Sequence, residues 1–81
     1  MTLTENQTIQ LENAIIEYFK LDVGAFQLDS GSFQIEHLDA YRDKKAVWYS
    51  YEDSNNKHHK GFCYFTASVL EDKLEDITIL D

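Results

Sequence analysis

Between Ala46 and Ala67 the sequence alternates with the period of a β-hairpin. Val47, Tyr49 and Tyr51 face one way, and Trp48, Ser50 and Glu52 the other. Ser54, Asn55, Asn56 and Lys57 supply turn chemistry after Asp53. The returning strand then runs from His58, with Phe62 and Tyr64 alternating with Cys63, Phe65 and Ala67. Both faces of this hairpin carry aromatic rings. Either it lies centrally in a sheet with both faces partly covered, or one aromatic face is a binding surface.

The rest of the chain must supply a core without covalent help. With 81 residues there is room for one domain, residues 1–81, and a single cysteine, Cys63, rules out an intramolecular disulfide. A content of 43% hydrophobic and 14% aromatic residues separates the chain from disordered acidic tails and is enough to build a core. There is no proline, repeat or low-complexity tract, and three glycines (Gly24, Gly31 and Gly61) are the main punctuation.

Thr4 to about Lys20 reads as a helix. Thr4 and Gln7 fit a capping box, and Leu11, Ala14, Ile15, Tyr18 and Phe19 form an apolar stripe. Lys20 in the last turn suits the helix dipole. Leu3 is a candidate staple on Thr8 or Ile9, although residues 1–3 are expected to lack fixed structure. Ala25–Leu28 and Ser32–His37 read as a first hairpin around Asp29, Ser30 and Gly31, with the alternation breaking at His37 and Leu38 in a bulge or strand end. Asp39 to Lys45 is expected to be a polar connection.

The end of the chain carries two signals. Ser68 and Glu71 match a capping box, and Leu70, Leu74 and Ile77 fall at helical spacing, whereas Ile77 to Leu80 looks β-like. The expected fold class is therefore α+β. An N-terminal helix packs on a curved antiparallel sheet of about four strands, followed by a short C-terminal helix, an edge strand, or both.

The formal charge is −8 and unevenly spread: residues 1–43 carry −6, 44–60 carry +2, and 61–81 carry −4. Direct nucleic-acid binding and attraction to anionic lipid are disfavoured, because both need clustered Lys and Arg. Lys44, Lys45, Lys57 and Lys60, with His58 and His59, make a mildly basic island that reads either as edge protection or as a contact. The N-terminal residues lack the basic start and apolar run of a signal peptide, and no apolar stretch approaches about 18 residues, so the expected compartment is the cytoplasm.

Catalytic constellations are weak. His58 and His59 are adjacent and so point to opposite strand faces, while Cys63 lies about 13 Å along the strand from His59, too far to share a zinc ion. Cys63 is expected to be an inert core thiol. No acid sits where burial in an apolar strand would raise its pKa, and no Gly-rich phosphate loop exists. No enzyme activity, metal or cofactor is expected.

The expected role is a small acidic inhibitor or regulator that binds a protein with a basic surface. Its sharpest form is a phage- or mobile-element-type antagonist that mimics nucleic acid and fills a basic groove. The acids expected to carry that contact are Glu71, Asp72, Glu75 and Asp76, which would share one face of the tail helix, with Asp39, Asp43, Glu52 and Asp53. One alternative is a toxin-immunity or accessory subunit that binds an enzyme through an aromatic sheet face, with Trp48 on one face and Tyr49 and Tyr51 on the other as the expected contacts, and Tyr41 and Tyr64 as further aromatics that serve as core or interface. The other is a homodimeric structural protein.

Overall fold

A computed structural model describes residues 2–24, 27–29 and 31–81. Helix α1 spans Glu5–Phe19, and the capping box at its start is formed: the Gln7 N–H donates to Thr4 Oγ1 at 3.1 Å, and the Thr4 N–H donates to Gln7 Oε1 at 3.0 Å. It ends at Lys20, which caps the helix in the left-handed region at φ +55° rather than sitting in its last turn. Leu11 and Ile15 on the inward stripe are fully buried, but Tyr18 is half exposed and meets Phe19 edge to face.

Four antiparallel strands follow in sequence order as an open sheet: β1 Gln34–Tyr41, β2 Lys44–Glu52, β3 His58–Leu70 and β4 Lys73–Leu80. This is the expected α+β arrangement of one helix on a four-stranded antiparallel sheet. The core joins Leu11 and Ile15 to Val47, Tyr49, Cys63, Phe65, Leu74 and Ile79. Leu3 packs against this cluster as well, half-buried, just ahead of the helix.

Three local expectations need correction. The stretch 39–45 is not a polar connection: Tyr41 pairs with Lys44, so strand continues on both sides of a two-residue turn at Arg42 and Asp43, with Arg42 at φ +57°. A bulge at Glu36, between the pairs Ile35–Tyr49 and His37–Trp48, shifts the alternation and lets β1 run on.

The expected first hairpin is the second correction. Ala25, Phe26 and Ser30 lie outside the described residues. Leu28 bridges Asp53, not the 32–37 segment, and the Asp29 N–H donates to the Glu52 carbonyl at 2.8 Å. The Ser32 hydroxyl donates to the Asp29 carbonyl and accepts from the Glu52 N–H. The turn-forming residues there fasten the segment to the end of β2.

The third correction concerns the tail, which is the edge-strand alternative, β4, with no helix at residues 68–77. Glu71 (φ +54°) and Asp72 turn the chain between the paired Leu70 and Lys73. Asp76, also at φ +54°, bulges out of β4 opposite Ala67, between the pairs Ser68–Glu75 and Thr66–Thr78. The extra residue is what brings Leu74 and Ile77 to the same face three positions apart, a spacing otherwise typical of a helix.

Helix α1 is fastened to β4 by amide side chains. Gln10 Nε2 donates to the Leu74 carbonyl at 2.9 Å, and the Leu74 N–H donates to Gln10 Oε1 at 2.8 Å. Gln7 Nε2 reaches the Glu71 carbonyl at 3.1 Å, and Asn6 Nδ2 the Asp72 carbonyl at 2.9 Å. The Gln10 amide thus occupies the hydrogen-bonding place of a further strand beside Leu74.

Candidate protein-binding face

Strand alternation sends Val47 and Tyr49 towards α1 and leaves Ala46, Trp48 and Ser50 on the opposite, outer face of the sheet. The β2–β3 register places Trp48 opposite Phe62 and Ala46 opposite Tyr64, while β1 brings His37 beside Trp48. The result is a connected aromatic cluster. Ring centroids lie 5.0 Å apart for His37–Trp48, 4.9 Å for Trp48–Phe62, 5.0 Å for Phe62–Tyr64 and 5.6 Å for Tyr41–Tyr64. Among the described residues no second layer covers it: Trp48 is 39%, Phe62 42% and Tyr41 46% exposed.

Polar groups edge this cluster. Lys44 Nζ sits 4.1 Å from the Tyr64 ring centroid and 5.7 Å from that of Tyr41, within cation–π range. The Ser50 hydroxyl is buried under its neighbours and donates to Glu36. An outward sheet face is ordinarily polar, so apolar side chains gathered on one make it the candidate site.

The residues expected at a site divide between the two faces. Trp48 is on the outer face. Tyr49 is buried in the core, stacked on Phe33 at 5.3 Å, and its ring crosses Gly61 so closely that a Cβ there would overlap it. Tyr51 is half-buried between Phe33 and His59. Burial pushes the Tyr49 hydroxyl up to about 12, and raises that of Tyr51. Neither offers a ring to a partner on the outer face.

The acids are equally divided. Glu71 and Asp72 are in a turn, Glu75 is on β4 within 3.1 Å of Lys73 Nζ, and Asp76 is in the bulge, so the four do not share a helix face. Asp39 accepts from the Ala40 N–H at 2.9 Å, and Asp43 is exposed in the β1–β2 turn. Glu52 is exposed at the end of β2.

Asp53 is buried and structural. Its Oδ2 lies 2.7 Å from His59 Nε2, and its Oδ1 accepts from the N–H groups of Asn55 and Lys57. The His59 hydrogen bond, together with those backbone donors, holds its carboxyl below the usual range. Cys63 is buried, and burial pushes its thiol up to about 11, away from the thiolate that a nucleophile needs.

Tyr64 and Tyr41 are among the aromatics expected from the sequence to serve as core or interface, whereas the sequence does not single out Phe62 and His37 as neighbours of Trp48. The register is fixed by the five-residue connection 53–57 between the paired Glu52 and His58, one residue longer than the four-residue turn expected at 54–57, and this sets Trp48 opposite Phe62 rather than Cys63. No protein-family model, curated protein sequence or solved structure matches this chain.

Proposed function

We propose that this chain is a small, non-catalytic regulatory or accessory subunit that binds a basic protein through the outer face of its sheet. The observation that carries the reading is the exposed, connected aromatic cluster of Trp48, Phe62, Tyr64 and Tyr41 on a sheet face without a covering layer. Large rings with a polar rim are what interface anchors are made of. The charge of −8 gives the chain a long-range attraction to a basic partner and speeds encounter with it.

This reading favours the aromatic-face alternative over nucleic-acid mimicry by the tail. The four tail acids are divided between a turn, a strand and a bulge, so they lack the regular spacing that imitating a phosphate run would require.

The test begins with capture from the source lysate and identification by mass spectrometry, with and without nuclease. Binding of the purified partner is then measured for Trp48→Ala and Phe62→Ala. Each is expected to weaken affinity about tenfold or more, corresponding to roughly 1.4 kcal/mol, while leaving the circular dichroism of the fold intact. Unchanged affinity in both, or capture that disappears with nuclease, would overturn the reading.

A further inference from the structure

The outer face is complementary to itself, and we propose that a second copy of this chain covers it when no other partner is bound. This rests on reading that face as a docking surface and adds what competes for it.

The complementarity follows from the β2–β3 register. Glu52 pairs with His58, Ser50 with Lys60, Trp48 with Phe62 and Ala46 with Tyr64, and alternation places all eight side chains outward. Sheets packed face to face keep their strands within about 30° of each other. A two-fold axis parallel to the strands, running between β2 and β3, then sets each of these β2 residues over its β3 counterpart in the other copy.

Every such row is favourable. Trp48 meets Phe62 of the second copy, ring on ring. Tyr64 comes down over the place of Ala46, which is itself nearly buried, so the ring meets the side chains around it. Glu52 meets His58. Lys60 approaches Ser50, whose hydroxyl donates to Glu36, so that ammonium and carboxylate are brought together. The two-fold repeats each contact, and none of the four rows sets like charge against like.

The rest of the surface is poorly suited to self-pairing. The β3–β4 turn and the bulge beyond it carry Glu71, Asp72 and Asp76, and α1 carries Glu5, Glu12 and Glu17, so these surfaces would repel their own copies. The outer face has Lys44 and Lys60 to set against Glu36, Asp39 and Glu52. Four strands about 4.8 Å apart and about seven residues long at 3.3 Å each give roughly 450 Å² of flat area per copy. A standard stable interface buries about 800 Å² per partner, so the dimer is expected to be reversible and concentration-dependent.

Sedimentation equilibrium of the purified chain over a micromolar-to-millimolar series should show the mass rising from 9.5 kDa towards twice that value. Added salt should strengthen the association by screening the repulsion between two chains of −8. His58→Glu alone should stay monomeric where wild type dimerises, because it sets two carboxylates against each other across the axis, and Glu52→Lys alone, which loses the Glu52–His58 contact, should associate more weakly than wild type. Their equimolar mixture should recover the dimer, because only the mixed pair sets opposite charges across the axis. Recovery on mixing also shows that both variants are folded. A wild-type chain that stays at 9.5 kDa throughout, or single variants that dimerise like wild type, would overturn the proposal. Either result would leave the docking reading standing, since that is decided separately by target binding in Trp48→Ala.

Discussion

Asp53 shows how much one side chain can organise. It accepts from two backbone N–H groups of the β2–β3 turn and grips His59, which in turn stacks on Tyr51 at 4.9 Å. Its folded pKa lies below the ordinary 3.8, so its contribution to stability is present above that value and is lost as pH falls through the folded one. Asp53→Asn keeps the shape of the group and removes its charge. Urea midpoints measured from pH 7 down to pH 3 should therefore fall less steeply in this variant than in wild type. Cys63 behaves in the opposite sense at alkaline pH. Its thiol titrates at about 11 in the fold against an ordinary 9.0, so its contribution is full below pH 9 and lost as pH rises towards 11. A thiol reagent should label Cys63 slowly in native protein and quickly in denaturant. Cys63→Ala should flatten the alkaline loss while costing on the order of 1 kcal/mol in packing.

At the scale of elements, β4 is held from both sides, by β3 through the backbone ladder and by α1 through Gln10 and Gln7. Leu74 is buried, so its N–H and carbonyl need the Gln10 amide. Gln10→Ala should destabilise the protein by about 1–3 kcal/mol, the range for leaving buried polar groups unpaired. Hydrogen exchange should show the loss concentrated at the Leu74 amide. A substitution that moved the global midpoint without exposing Leu74 would mean that the amide bond does not carry the helix–strand junction.

For the molecule as a whole, charge and aromatic anchoring make separable contributions to the proposed binding. Acids crowd the turns and the helix, whereas the outer face mixes lysines, acids and rings. Reversing Glu71, Asp72, Glu75 and Asp76 to Lys should change stability by no more than about 0.5 kcal/mol per exposed site. It should slow association with a basic partner, and the deficit should shrink as salt is added. Stopped-flow association rates over a salt series check this. A variant with wild-type on-rates at low salt would show that the tail acids do not steer binding. Affinity itself is expected to follow Trp48 and Phe62 through the dissociation rate.

The helix with its capping box, the β2–β3 hairpin and the α+β class were legible in the sequence, because each is written in contacts a few residues apart: a Thr4–Gln7 exchange, a period of two, a short polar turn. The direction each hairpin face takes was not. Tyr49 and Trp48 are neighbours of similar character, and only the position of α1 and Phe33 makes one core and the other surface. The tail strand was obscured for a related reason. A bulge at Asp76 gives β4 a three-residue apolar spacing that reads as helix until its pairing with β3 is known. Local periodicity therefore determined the helix and the central hairpin, while long-range strand pairing and helix docking decided the course of β1 and β4 and which aromatic rings remain on the outer face.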